Sequence, residues 1–428
     1  MKKLIILATV FPLFFISALV AAENEDRSSK KSGSAFSAEG YLKLEGGEVV
    51  NYDSYNITSP YARLIARLKG SYDISEDVYT YISYKFLMDR YFSDVKNSNS
   101  TLNQYGHDIK FRIAKDPQKY HLGFNFSFTN YSRPKWPDLY QPNPINYVAG
   151  VTSNSIVLGV TDRFGYTQYE PELTFAYLLS KDTSLFSSVL YSDKTSVQDP
   201  SFSAAKPTHV VPSSYTKSEF QIGLKHKMSK MDLRWNNTIS KLTSKIELAR
   251  DAIVGKTNYT KTPNPLYSEN NLISDITLDY SVIKDVMVIT PEYSFEYNSD
   301  VYQGYESYMQ NTIALAFEHE LIKDKFSYKL QSSASFRNYG SNSYGVGKAT
   351  THLPTTDGKR LYKNYFKVSI DTSYKILKNL EVYLDGSLDM KKTNYPDYVM
   401  GVNPVNKNYN IKFNYNNYSI SSGTVYKF

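Results

Sequence analysis

The chain has 428 residues, no cysteine, and a net charge of +7 from 49 lysines and arginines against 42 aspartates and glutamates. Without cysteine there is neither a disulfide framework nor a lipid-modified cysteine behind a leader, and the modest, dispersed basic excess gives no support to nucleic-acid binding. Mean hydropathy is −0.45, yet aromatics reach 15% and tyrosine alone supplies 40 residues, a balance that suits a wall with one apolar face and aromatic rims.

At the N-terminus, Lys2 and Lys3 precede an apolar run from Leu4 to Val20, and Val20-Ala21-Ala22 places small residues before Glu23. A charged start, an apolar stretch and a small-residue site predict an export signal over residues 1–22, cleaved after Ala22. The run is short for a membrane anchor, and Glu23-Asn24-Glu25-Asp26 follows it. No second apolar segment of about 20 residues exists, so helical membrane spans are excluded. Residues 23–34 are polar and aperiodic and read as a flexible periplasmic lead, and residues 35–428 read as one β domain.

That domain repeats one theme. The first strand is expected near Phe36 to Val50. From Tyr61 to Tyr72, Ala62, Leu64, Ala66, Leu68, Gly70 and Tyr72 share one face while Arg63, Arg67, Lys69 and Ser71 share the other. Period two over this length is a strand with one apolar and one polar side. A turn at Asp73 to Asp77 leads to Val78, Thr80, Ile82, Tyr84, Phe86 and Met88, again on one face. His107, Ile109, Phe111 and Ile113 precede the turn Asp116-Pro117-Gln118-Lys119, and Tyr120, Leu122, Phe124, Phe126 and Phe128 follow it. The stripes continue through Leu173 to Leu179, Phe220 to Leu224, Met231 to Trp235, Leu272 to Val282, Ile289 to Tyr297, Ile313 to Phe317, Phe366 to Ile370 and Leu380 to Leu384. The stretch from Leu185 to Tyr191 is the faintest, with apolar residues on both faces. Short turns such as Ser180 to Thr183, Ile283 to Asp285 and Ile376 to Asn379 alternate with longer loops. A soluble sandwich has no reason for that alternation, whereas transmembrane barrels have short periplasmic turns and long outer loops.

The reading is therefore all-β, a transmembrane antiparallel β-barrel of sixteen strands, with 14 or 18 the neighbouring even counts. An even count returns both ends to the periplasmic side. The last segment slips phase near Asn416-Asn417, read as a bulge or an extended outer half and not as a hairpin. The chain stops at Tyr426-Lys427-Phe428, and Phe428, Tyr426, Thr424, Ser422, Ile420 and Tyr418 share a face. This ending resembles the closing strand of Gram-negative outer-membrane barrel proteins, and the architecture is similar to that of general diffusion porins. The resemblance implies an outer-membrane location among lipids and lipopolysaccharide, and a homotrimer. It also implies recognition of Tyr426 and Phe428 by the barrel insertion machinery.

Charges on the polar face sort by strand. Strands two to four carry Arg63, Arg67, Lys69, Lys85, Lys110 and Arg112, and strands ten to twelve carry Asp275, Asp279, Glu292, Glu296, Glu318 and Glu320. In a ring of sixteen these sets face each other across the lumen, an arrangement that looks like the opposed walls of a porin constriction. The bland alternative is that they keep the lumen wet. The third outer loop, about Ser132 to Gly165, is the longest gap. By analogy with porins it folds inward and offers Asp138, Asp162 and Arg163 to the constriction; otherwise it is a surface loop or an extra strand pair at Ile156 to Arg163. His107, His226 and His319 fall in phase with the apolar face. No metal-ligand spacing, phosphate loop or HExxH motif is present, so neither a cofactor nor an enzyme is expected. The leading function is passive passage of small hydrophilic solutes or ions. A non-conducting barrel that presents its loops as an adhesin or structural protein is the second. A sugar or oligomer channel lined by Tyr79, Tyr81, Tyr365 and Tyr383 is the third.

Overall fold

The computed structural model of the chain describes residues 36–51, 57–91, 102–132, 165–196, 214–247, 266–284, 286–300, 307–340, 343–345, 352–354, 359–394, 398–400, 409–411 and 414–428. In chain order the strands are β1 (Phe36–Asn51), β2 (Ile57–Ser75), β3 (Val78–Tyr91), β4 (Leu102–Lys115), β5 (Tyr120–Ser132), β6 (Tyr166–Leu178), β7 (Thr183–Ser196), β8 (Tyr215–Lys227), β9 (Met231–Glu247) and β10 (Leu266–Ile283). They continue as β11 (Met287–Asp300), β12 (Tyr308–Ile322), β13 (Phe326–Tyr339), β14 (Ser343–Gly345), β15 (His352–Pro354), β16 (Tyr362–Leu377), β17 (Leu380–Thr393), β18 (Tyr398–Met400), β19 (Tyr409–Ile411) and β20 (Tyr415–Lys427).

Sixteen of these, β1 to β13 with β16, β17 and β20, close into one antiparallel barrel in which each strand pairs with its neighbours in the chain. The ring shuts where β1 meets β20, from Tyr41 opposite Lys427 to Asn51 opposite Asn417. Beyond that ladder, Gly40 and Phe428 exchange two backbone hydrogen bonds of 2.8 and 3.0 Å. The remaining four strands form two short hairpins, β14–β15 and β18–β19. The expected count of sixteen holds.

Of the two readings of the phase slip at Asn416-Asn417, a bulge or an extended outer half, the bulge is excluded. Both residues lie inside the regular ladder of β20, opposite Met390 and Asp389. The apparent slip came from two polar asparagines in succession, one on each face of an unbroken strand.

Short turns collect on one rim. Backbone bonds link neighbouring turns around it: Asp116 N to Asp77 O at 2.7 Å, Lys227 N to Asp182 O at 2.7 Å, Ser281 N to Lys230 O at 2.8 Å, and Lys427 N to Asn379 O at 2.8 Å. Several turns are tighter than the sequence suggested, because strand pairing runs into them. Asp73 and Ser75 belong to β2, across a register shift, and Thr183 begins β7.

The packing is inside out. Leu42, Phe111, Leu122, Leu173, Val189, Phe220, Ile239, Ile313, Ile370 and Ile420 are all exposed, and they fall on one face of strand after strand. Among the described residues the buried apolar side chains are Ala114, Ala314, Ala316, Tyr339 and Leu361, too few and too small to be the core of a soluble domain. A continuous apolar belt of this kind is incompatible with water and matches the lipid-facing band of a membrane barrel. Strands of 13 to 19 residues exceed the roughly 9–11 needed to cross tilted. Exposed Tyr72, Tyr120, Tyr177, Tyr280, Tyr374, Tyr426 and Phe428 ring the short-turn end as an interface girdle.

Candidate functional site: the barrel lumen

If the apolar face is outside, the other half of each strand must line the interior, and contacts across several strands show that it does. One recess of about 560 Å³ is lined together by Lys43 of β1, Glu318 of β12, Lys329 of β13, Asp371 of β16, and Glu381 and Asp385 of β17. Side chains on so many strands converge only on the concave side of a closed sheet. Sixteen strands leave a wide lumen, and its wall is mostly polar.

All six predicted basic residues lie on this inner face, but they are not equally available. Arg63 grips Asp89 through two bonds, Nε to Oδ1 at 2.6 Å and Nη2 to Oδ2 at 3.0 Å, and reaches Glu45 at 3.2 Å. Lys69 pairs with Glu39 at 2.9 Å, Lys110 lies 3.7 Å from Asp108, and Arg112 contacts His121 at 3.0 Å. Arg67 and Lys85 stand opposite each other across β2 and β3, and neither forms a salt bridge among the described residues.

The six predicted acidic residues are also inward. Glu318 pairs with Lys329 at 2.6 Å. Glu296 accepts from Asn271 at 2.9 Å and from Tyr308 at 2.7 Å, Asp279 accepts from Thr290 at 2.8 Å, and Glu320 accepts the Asp324 backbone N–H at 2.6 Å. Asp275 and Glu292 line a recess of about 750 Å³ with Lys225 and Arg234. In the ring β3 and β11 are eight strands apart in either direction, so the two sets occupy opposite arcs. The described inward positions of β10 to β12 carry carboxylates and no lysine or arginine. The basic arc is more mixed, because Asp89 and Asp108 lie within it.

Sequence reasoning missed the densest cluster on the wall. Glu45, only 8% exposed, accepts hydrogen bonds from Tyr61 at 2.8 Å and Tyr383 at 2.8 Å and pairs with Lys43 at 3.0 Å. Gln104 donates to Asp89. Tyr383 sits on β17 and Glu45 on β1, so the ring must lie across β20 to arrive. Gly423 makes that crossing feasible, since a Cβ there would stand 2.5 Å from the Tyr383 hydroxyl and 2.1 Å from the Leu44 carbonyl. Strand phase alone would have put Glu45 and Asp89 on the basic arc. What phase does not reveal is that they neutralise Arg63. Phe186 was also missed. It accounts for the faint alternation of β7, because its ring faces inward over Gly223, where a Cβ would come within 2.3 Å of it.

The inward tyrosines are packed against cations: Arg112 lies 5.8 Å from the Tyr79 ring, Lys69 5.2 Å from Tyr81, and Lys43 4.1 Å from Tyr383. His107, His226 and His319 contact Tyr84, Thr183 and Tyr328 on the outer face. Asp116, His121 and Thr174 form a chain of 2.6 and 3.2 Å with the outline of a nucleophile relay. The Arg112 guanidinium is 3.0 Å from the same His121 Nε2, so the lone pair that a base would need already accepts another proton donor. Among the described residues no group of three acidic or histidine side chains is placed to hold a metal ion.

Asp138, Asp162 and Arg163, with the proposed infolded loop, lie outside the described residues, as do Ala22 and the leader. Tyr426 and Phe428 stack at 6.2 Å on the exposed face of the closing strand.

No family model and no curated protein matches the sequence. Among solved structures the chain is similar to outer-membrane expressed OmpT of Vibrio cholerae, at 12% identity and TM-score 0.46 over 94% of this chain and 99% of that one. It is similar to an anion-selective porin from Comamonas acidovorans, at 8% identity and TM-score 0.44 over 92% and 100%. It is also similar to the outer membrane channel DcaP of Acinetobacter baumannii, at 11% identity and TM-score 0.42 over 94% and 99%.

Proposed function

We propose that the chain is an outer-membrane porin that passes small hydrophilic solutes or ions down their gradients, without catalysis. The observation that carries this reading is the pairing of an unbroken apolar exterior with a polar, charge-lined interior in a closed ring of sixteen strands. A barrel of that circumference encloses more space than its own side chains fill. Water in that space lowers the barrier that bare lipid presents to polar solutes. Opposed charge on the arcs of β2 to β4 and β10 to β12 acts on whatever crosses between them, and in a narrow lumen such charges reach further than on an open surface. Arg67 and Lys85 on one side, with Asp275 and Glu292 on the other, form no salt bridge among the described residues.

The test is single-channel recording of the refolded protein in a planar lipid bilayer with a salt gradient across it. Steady openings are expected. Their selectivity should shift toward cations in Arg67→Gln and toward anions in Glu292→Gln. Openings that ignore both substitutions would keep the channel and remove the opposed-charge lumen. A correctly folded barrel that never opens would favour a surface adhesin or structural protein.

A further inference from the structure

The recess beside Asp275 and Glu292 differs from the rest of the wall. It spans β7 to β11, with Phe186, Lys225, Arg234, Asn236, Asp275 and Glu292 around about 750 Å³, a volume in the range of sites for small organic ligands. Register orders its charges. Lys225 stands opposite Arg234, Arg234 opposite Thr277, and Thr277 opposite Glu292. Asn236 stands between Gly223 and Asp275. The two cations therefore occupy adjacent strands, and the two carboxylates occupy the next adjacent pair. Arg234 and Glu292 are two strands apart, about 10 Å at ordinary strand spacing.

Several carboxylates elsewhere on this wall are claimed by neighbours: Glu39 by Lys69, Glu219 by Lys217, Glu318 by Lys329. Here, among the described residues, none of Lys225, Arg234, Asp275 and Glu292 forms a salt bridge. Asn236 Oδ1 is buried and has no hydrogen-bond partner. The Phe186 ring, held over Gly223, adds an apolar surface. Two separated poles and an aromatic surface describe a site for a dipolar solute.

Resting on the porin reading, we propose that this recess is a docking station for short zwitterionic peptides, with the terminal carboxylate on Lys225 and Arg234 and the terminal ammonium on Asp275 and Glu292. At about 3.3–3.6 Å per extended residue, a dipeptide or tripeptide spans the gap between the poles. The two charges of a free α-amino acid are too close together to do so. An uncharged sugar would leave all four wall charges uncompensated. A side chain of the ligand rests on Phe186.

Current interruptions by trialanine, N-acetyl-trialanine and trialanine amide separate the two poles. Trialanine should interrupt the current at concentrations about tenfold lower than either capped form, the loss expected for one charge-assisted contact. Arg234→Gln should abolish the advantage over the amide, and Glu292→Gln the advantage over the acetylated form. The folded state of each variant is checked by its heat-dependent migration on gels. Equal interruption by all three peptides, or wild-type discrimination in both variants, overturns the proposal and leaves the channel standing. If no channel opens, the porin reading falls. The same three peptides titrated calorimetrically against the barrel in detergent micelles then decide the site alone: binding confined to trialanine supports it, and binding of none or of all three overturns it.

Discussion

Asp89 is 0% exposed on the inner wall, and its charge is met by the two-point contact with Arg63. Glu45 lies on the other side of the same guanidinium. Taking Arg63 away would leave two buried carboxylates facing each other, which costs more than the pair contributes. Arg63→Gln is expected to lower barrel stability by about 3 kcal/mol, read as an earlier midpoint in urea unfolding of the lipid-reconstituted protein. Adding Asp89→Asn should recover most of that loss. If the double variant is no more stable than the single, the repulsion account is wrong and the loss belongs to packing. Strand phase placed Arg63 on the inner face, because alternation is a property of the backbone. Its partners could not be read the same way. They come from β1 and β3, and side-chain pairing depends on the register between strands, which local sequence does not encode. For the same reason Arg63 was expected to be a field charge and is instead mostly neutralised, while Arg67, four residues on, forms no salt bridge among the described residues.

Turn chemistry sets where each ladder stops. Between β12 and β13, Asp324 adopts φ 60°, the left-handed region in which aspartate is tolerated and branched residues are strained. Its backbone N–H donates to Glu320 Oε1 at 2.6 Å, a bond that survives any change of side chain. Asp324→Gly should therefore fold with stability within about 0.5 kcal/mol of wild type. Asp324→Val should lose about 1–2 kcal/mol, as a β-branched residue is forced into that region. Parallel urea titrations of the two variants compare them directly, and equal stability would mean that the turn relaxes to another shape. The strands themselves were readable because both faces have solvents of opposite character, lipid outside and water inside, and that contrast is written as strict alternation. It blurred where an inner-face side chain is apolar, as with Phe186 over Gly223, or where an outer-face residue near the rim is polar, as with Asn416 in β20. The strand count survived both, since neither position interrupts the ladder.

The closed ring turns strand order into position around a pore, so residues far apart in sequence act on one volume of water. Arg67 and Lys85 belong to one arc, Asp275 and Glu292 to another eight strands along in the case of β3 and β11. This much followed from sequence once the count was sixteen. Local neutralisation and the Lys225–Arg234 pole did not, since both depend on which neighbours meet across the sheet. If the arcs act as a field and not as contact sites, their influence must depend on screening. The Debye length is about 10 Å at 0.1 M salt and about 3 Å at 1 M. An unscreened unit charge about 4 Å from a passing ion contributes about 1 kcal/mol in water, close to a fivefold change in local ion concentration. Replacing Arg67 and Lys85 by glutamine should therefore move the reversal potential toward cation preference at 0.1 M. Replacing Asp275 and Glu292 by asparagine and glutamine should move it the other way. Both displacements should shrink severalfold at 1 M, while the single-channel conductance keeps its ordinary rise with salt. Displacements of unchanged size at 1 M would mean that ions bind these side chains directly, and the transverse field would then have no part in selecting what crosses.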